Sequence, residues 1–591
     1  MSNIIKSMIA LVLMLSVTAC SNSNNEQQAT NGSITAGTYT ATTKGHNGDL
    51  SVEVTVDESS IKEVKVLENQ ETPGIGTGAF YSPLEALPKA IVDKQTTNVD
   101  VVTAATITSN ALLTAVRDCL TQAGASETDF ADKAESSYPT ESEYTVDVVV
   151  VGGGAAGLTA ANTVLDEGKT VLLVEKMGIT GGSTVTSGGN IFAAGTTAQE
   201  KEGVEDTPEA LYDFLMSYDE DNLLNEEMVR SYAFGIADDL DYLDDNGVDV
   251  TYLSTAAESL TPYRLHLTSD VNAITNGIGG GITVPLTDKI VEKGGKILFE
   301  TKADSLMTND AGEVIGVKAI NNLGEEVTIN GKSVILTTGG YAMNKDLTAR
   351  FSSFNPIFSA AVSCTGDGLA LGQSAGAKVF DSEGLQLQYV DFKTGETGST
   401  AFGLAVDVTG KRLTNEYAYQ SASAEVFKRA NSYANYYITA TKDGVCAEPY
   451  ATVQYGITLE DVAKASTLEE LAEQIQVDPT TLVETVQRYN ELCAKGSDDD
   501  FGKPSEYMIP VEGDTYYAFA RYPVSSATFG GLVIDSGGHV LNENNEVIKG
   551  LFAAGEVALT GQLAKEYPSC GLAIGNSVHM GRVAAKAACS E

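Results

Sequence analysis

The chain has 591 residues, 42% of them hydrophobic, more than one core usually supports and enough to give each of two or more domains a core. Its 37 Lys and Arg stand against 80 Asp and Glu, a net charge of -43. That balance excludes a surface built to coat nucleic acid or anionic lipid, and leaves a small-molecule substrate, which a few local cations can still bind.

Residues 1–20 read as a targeting segment. Lys6 precedes the apolar run Met8 to Val17, which is too short to span a bilayer permanently and has the length of a signal-peptide core. Small residues then lead to Cys20, and a polar tether, 21–34, follows. This pattern resembles a lipoprotein signal. It implies a chain lipidated on Cys20 and held on the extracytoplasmic face of the cell membrane. The other cysteines are scattered, without a C-x-x-C, and the four histidines form no ligand-like pair. No metal, haem or iron–sulfur cluster is expected, so electrons must travel on organic cofactors.

From 35 to 125 short alternating runs, Leu50 to Val56 and Ile61 to Leu67, end in a helical pattern, Asn110 to Ala123, as in a small α+β module. Within it, Asp100-Val101-Val102-Thr103-Ala104-Ala105-Thr106 leads into the helix. By local physics this is a capped turn. It also resembles the flavinylation motif of FMN-binding domains, Asp-x-x-Ser/Thr-Gly-Ala-Thr, with Ala104 where Gly is usual. The resemblance implies a covalent FMN on Thr106, attached by a flavin transferase. The acidic, Ser-rich stretch 126–143 reads as a linker.

The strand Val146 to Val151 runs into Gly152-Gly153-Gly154-Ala155-Ala156-Gly157, then a helix, Leu158 to Asp166, then a second strand ending at Glu175, 18 residues past Gly157. Strand, G-x-G-x-x-G, helix and acid together make the dinucleotide fingerprint. Gly152 and Gly154 admit the turn and the pyrophosphate, Gly157 lets helix approach strand, and Glu175 takes the ribose hydroxyls. Further along stand Gly181-Gly182-Ser183, Gly188-Gly189, Thr338-Gly339 and Gly555-Glu556. These segments are similar to the FAD domain of the soluble fumarate reductase and succinate dehydrogenase flavoproteins. That resemblance implies an α/β fold: a Rossmann-like FAD-binding domain, 144–382 with 527–591, interrupted by an α+β capping domain, 383–526, and preceded by the small FMN module. It also implies FAD contacts from Ala156, Lys176 and Ile574.

The family's catalytic side chains are mostly replaced. Its G-K-R-F-x-N-E segment corresponds to Gly410 to Glu416, but the proton-donating Arg four residues on is Gln420. The carboxylate-holding His corresponds to Gln388 and the relay Arg to Ser399, while Glu396 keeps the relay acid. No His precedes Gly530-Gly531, and the carboxylate-clamping Arg gives way to Tyr567-Pro568-Ser569-Cys570-Gly571. A dicarboxylate needs several cations to offset its desolvation. Tyr567 to Gly571 instead resembles 3-ketosteroid dehydrogenases, in which the Tyr hydroxyl and the Gly N–H bind a ketone oxygen. The expectation is an exported reductase of α,β-unsaturated carbonyl compounds, with Tyr567 and Gly571 polarising the carbonyl and Tyr417 or Tyr419 as proton donor. Electrons would come from a membrane donor such as a quinol dehydrogenase, through FMN to FAD. The alternatives are an unsaturated-carboxylate reductase with Arg264 as a clamp, a 3-ketosteroid-type dehydrogenase, and a non-catalytic electron-transfer module.

Overall fold

The structure, a computed structural model, describes residues 34–45, 48–69, 83–97, 99, 106–125, 141–185, 187–219, 222–254, 262–267, 279–351, 357–358, 360–380, 385–390, 403–417, 435–442, 445–446, 462–559, 561 and 567–591. By contacts they divide into two compact units, one within 1–71 and 81–137, the other within 72–80 and 138–591.

In the first unit, three antiparallel strands in the order β1 (Gly37–Lys44), β2 (Asp49–Val56) and β3 (Ile61–Glu68) carry helices α1 (Pro83–Lys94) and α2 (Thr106–Gln122). Alternation places Leu50, Val52, Val54 and Val56 on the covered face of β2. Leu112, Val116 and Cys119 of α2 close the core over them. The seam is pinned by Thr43 Oγ1 donating to the Ala111 carbonyl (2.9 Å) and Gln122 Nε2 to the Thr40 carbonyl (3.0 Å).

The second unit is organised on an eight-stranded sheet. β4 (Glu143–Val151) lies between β5 (Val171–Val174) and β12 (Glu326–Leu336), parallel to both. β9 (Lys296–Leu298) extends the sheet beyond β5, β10 (Thr301–Thr308) and β11 (Val314–Asn321) extend it antiparallel beyond β12, and Val547–Ala553 joins β12 in parallel. Val148 to Val151 and Val171 to Val174 are all buried, as expected of parallel strands covered on both faces. Helix α3 (Ala155–Asp166) follows β4 and packs along the C-terminal helix α5 (Leu572–Ser590). A small sheet of β6 (Ile191–Phe192), β7 (Tyr252–Ser254) and β8 (Leu265–Leu267) sits near helix α4 (Glu226–Asp245).

In the region expected to cap the substrate, Thr515–Thr528 is the spine of a seven-stranded sheet. It pairs antiparallel with Asn435–Lys442, Leu385–Val390 and Ala463–Ala465. Leu404, Ile438, Leu471, Leu482 and Tyr489 form a separate core beneath it. Thr515–Thr528 continues without a break across residue 526, so one strand links this sheet to the FAD-binding part.

Candidate flavin and substrate site

A cavity of about 100 Å³ opens at the C-terminal end of β4. Gly152 has φ +106°, and a Cβ there would lie 2.5 Å from the Thr337 carbonyl oxygen. At Gly157 a Cβ would lie 1.9 Å from the Gly152 carbonyl oxygen, so only glycine lets α3 close on the turn. Gly154 N-caps α3 without a side-chain bond, and a Cβ there would meet nothing nearer than 3.9 Å. The start of a 12-residue helix is thus left open toward the cavity, a seat for an anion.

Glu175 directly follows β5 and is 6% exposed. Its Oε2 accepts from the Gly153 N–H (2.7 Å) and its Oε1 from the Met177 N–H (2.8 Å). Burial raises its carboxyl above the usual range, against the pull of those two N–H groups. Beside it Lys176 Nζ donates to Asp367 Oδ2 (2.5 Å) and Thr365 Oγ1 (2.7 Å), and Lys302 meets Asp367 Oδ1 at 3.2 Å. Burial works against the Asp367 charge, but Lys176, Thr365 and Lys302 outweigh it and hold the carboxyl low. Gly182, Ser183, Thr338, Gly339, Gly555 and Glu556 complete the wall, with Ala156 at the helix start. Glu556 is held by the Thr528 N–H (2.8 Å) and hydroxyl (3.0 Å), and a Cβ at Gly340 would lie 2.1 Å from its Oε1. Of the expected cofactor residues, Gly157, Gly181, Gly188, Gly189 and Ile574 do not line the cavity.

Tyr567 and Gly571 are brought together at the start of α5. Gly571 N-caps the helix at φ +86°, and a Cβ there would lie 2.8 Å from the Phe192 nitrogen. The Tyr567 ring leans on Phe529, centroids 5.8 Å apart, and its hydroxyl oxygen accepts the Ala573 N–H at 3.1 Å. Burial pushes the phenol well above its ordinary range and the Cys570 thiol adds to this; the N–H groups of Ala573, Gly571 and Leu572 pull the other way. Tyr567 is therefore a neutral phenol whose oxygen is held by a helix N-terminus. The expected arrangement sets the Gly571 N–H and the hydroxyl side by side at a substrate; here the hydroxyl oxygen itself takes an N–H of the helix start, that of Ala573.

Arg264 is spent elsewhere. Its Nε and Nη2 donate to Asp206 at 2.6 and 2.8 Å, with side chains 7% and 1% exposed. The guanidinium lies over Phe192 and Phe214. In the G-K-R segment, Arg412 binds Glu416 and Asp498, and Lys503 lies 3.4 Å from Glu416. Tyr417 stacks on Tyr507 at 4.5 Å. Tyr419, Gln420, Glu396 and Ser399 lie outside the described residues, as do Cys20 and the side chains of Thr106 and Gln388. The backbone of Thr106 opens α2.

The FAD binding domain family matches residues 147–574 and the FMN-binding domain family matches 45–121. The chain belongs to the FAD binding domain family. Urocanate reductase of Eggerthella lenta is 31% identical over 548 residues, covering 88% of this chain and 87% of its own. The solved flavocytochrome c3 fumarate reductase, in its open conformation, is 26% identical with TM-score 0.62, covering 79% of this chain and 81% of its own. The 3-ketosteroid-Δ4-(5α)-dehydrogenase of Rhodococcus jostii RHA1, solved with 4-androstene-3,17-dione, is 26% identical with TM-score 0.65, covering 77% of this chain and 98% of its own. The protein is an FAD-dependent oxidoreductase acting on CH–CH bonds, with a second, FMN-binding domain.

The residues present fit FAD. The uncapped start of α3 suits an anion, the buried Glu175 keeps acceptor capacity for a ribose hydroxyl beside its two N–H partners, and Thr338 Oγ1 is buried in the cavity wall without a hydrogen-bond partner. Sequence reasoning did not single out Asp367, Lys302 or Cys364. The Cys364 thiol, pushed up to about 12 by burial, faces Ser183 Oγ at 3.2 Å inside the same wall. Asp367 carried a weak signal in Thr365-Gly366-Asp367-Gly368, another glycine-flanked acid; Lys302 and Cys364 carried none.

Proposed function

We propose that the protein reduces a C=C bond conjugated to a neutral carbonyl group, an enone, with 3-ketosteroid-like compounds as one candidate class. The carrying observation is Tyr567, a neutral buried phenol set against the first turn of a 19-residue helix. The Ala573 N–H that donates to the phenol oxygen makes its O–H a better donor, and the helix N-terminus favours negative charge beside it. Such a pair suits an oxygen that becomes an enolate. Bound FAD supplies the hydride. Tyr567 orients and polarises the carbonyl, and a cap-region tyrosine, Tyr417 or Tyr419, returns the proton to the α-carbon.

The described arginine side chains of the second unit favour a neutral substrate. Arg264, Arg412, Arg488 and Arg582 pair with Asp206, Glu416 and Asp498, Asp500, and Asp239, and Arg230 rests on the Tyr212 and Phe234 rings. A second reading, reduction of an unsaturated carboxylate, is favoured by the 31% identity with a urocanate reductase. Around this chemistry we place a covalent FMN on Thr106 that recharges FAD, a flavin transferase that installs it, a lipid on Cys20 and a membrane quinol dehydrogenase as electron source. Thr106 as the first residue of the 17-residue helix α2 supports the FMN assignment, since a helix N-terminus stabilises a phosphoester.

The test is anaerobic reoxidation of the dithionite-reduced protein by a panel of cyclic enones, 3-ketosteroids, aryl acrylates, urocanate and fumarate. Fastest turnover with an enone supports the first reading. Fastest turnover with a carboxylate replaces it with the second, and no turnover with any leaves a 3-ketosteroid dehydrogenase, assayed in reverse, or an electron carrier.

A further inference from the structure

Behind Tyr567 lies a second buried tyrosine. Tyr232, on α4, is 2% exposed, and its hydroxyl donates to the Phe192 carbonyl at 2.5 Å. The N–H of the same Phe192 donates to the Gly571 carbonyl at 3.4 Å. Phe192 thus joins the Tyr232 hydroxyl to the residue that caps α5. The third wall of this small space is α5 itself: a Cβ on Gly575 would lie 2.4 Å from the Tyr232 hydroxyl oxygen and 3.3 Å from Ile191 Cγ2. The hydroxyl is wedged between β6 and the first turn of α5, at the place where the helix N-terminus receives the Tyr567 oxygen.

The Tyr232 ring is itself held from behind. His579 of α5 meets it edge-on, centroids 5.9 Å apart at 90°. His579 Nδ1 lies 2.7 Å from Asp239 Oδ2 and its Nε2 lies 2.8 Å from Ser231 Oγ, while Arg582 Nη1 donates to the other Asp239 oxygen at 2.5 Å. With its carboxylate partner on Nδ1, the imidazole carries a proton there. Charge pairs and hydrogen bonds thus fix α4 against α5, the two helices between which Tyr232 stands, and the His579 ring holds its edge.

Resting on the carbonyl-polarising role proposed above, we infer that Tyr232 is a positioning residue: through Phe192 and Gly575 it sets the distance between β6 and the first turn of α5, and so places the Tyr567 hydroxyl and the helix N-terminus on the reacting carbonyl. It touches no substrate. Displacements below an ångström in groups aimed at a transition state cost rate, while ground-state binding changes less.

The test uses the full-length, FAD-loaded protein and reads the single-turnover rate of flavin reoxidation by the best acceptor, a rate constant that inactive molecules do not alter. Tyr232→Phe keeps the ring and its edge contact with His579 and removes only the hydroxyl. The expected result is a fall of about ten- to a hundredfold in that rate with KM unchanged and FAD content retained. Gly575→Ala, which drives its Cβ into the tyrosine hydroxyl, slows the reaction in the same direction, and adds less on top of Tyr232→Phe, because the 2.4 Å contact with the oxygen is gone and only the milder 3.2 Å contact with ring Cζ remains. Additive effects of the two changes would overturn the inference, as would an unchanged rate in Tyr232→Phe. Tyr567→Phe is measured in parallel. If it slows the reaction and Tyr232→Phe does not, the positioning role fails and the polarising role stands; if neither slows it, both fail.

Discussion

Removing the Tyr567 hydroxyl is the most direct perturbation of the proposed chemistry. Tyr567→Phe keeps the ring against Phe529 and deletes one oxygen, which accepts the Ala573 N–H at 3.1 Å. Loss of one donor aimed at a developing oxyanion costs about 2.7 to 4 kcal/mol of transition-state stabilisation. The Ala573 N–H that had bonded the phenol is then free to reach the substrate oxygen, which places the expected loss at the low end, about 2 to 3 kcal/mol, or thirty- to more than a hundredfold in kcat/KM. Folding loses less. One buried N–H without a partner costs about 1 to 2 kcal/mol, so the protein stays folded with its FAD. The assay is kcat/KM for the best enone and for an aryl acrylate, with reduced viologen as electron donor. An enone rate equal to that of the unmodified protein would refute the reasoning, since no group placed against that oxygen could then be stabilising charge. A fall confined to the acrylate would transfer the same groups to carboxylate binding.

Thr106→Ala, coexpressed with a flavin transferase, loses the in-gel fluorescence that survives denaturation and keeps the FAD that denaturation releases; persistent fluorescence moves the attachment, with Thr108 the nearest alternative. Arg264→Ala leaves Asp206 buried and unpaired, at a cost of about 3 to 5 kcal/mol, and so lowers the thermal midpoint with every substrate. A specific rise in KM for carboxylates, with the midpoint unmoved, would return Arg264 to the substrate. His266 is buried with Nε2 2.8 Å from Thr196 Oγ1 and Nδ1 3.0 Å from the Arg264 carbonyl, and burial lowers its pKa to about 4. Because the unfolded chain binds a proton on this residue near pH 6.5 and the folded one only near pH 4, its contribution to stability is full above pH 6.5 and falls as pH drops toward 4, by about 3 kcal/mol in all. Melting at pH 7 and pH 5 should show a smaller acid loss in His266→Asn than in the unmodified protein; equal losses in both would exclude His266 as the source.

What the chain reveals before folding depends on how local each constraint is. The phosphate turn was legible because its demands lie within six residues: Gly152 at φ +106°, and Gly157 against the Gly152 carbonyl. Glu175 was legible too, since one strand, one turn and one helix set its distance from the glycines. The partner of Lys176 was not, because Asp367 is 191 residues away and meets it only through the folded sheet. Arg264 shows the same limit with a larger consequence. In sequence it is a cation near a histidine and serves as a clamp for a carboxylate; in space Asp206, 58 residues earlier, takes two of its three guanidinium nitrogens. Tyr567 and Gly571 lie between these extremes. Their spacing brought both to the start of α5, but spacing carries no information on which N–H meets the phenol, and in the fold it is that of Ala573, two residues past Gly571. A phenol so held keeps its own O–H to donate, backed by the field of the helix. Chemistry at this site therefore depends on how well α5 is placed, and that is decided by Phe192 and Tyr232, hundreds of residues from the motif that first drew attention to it.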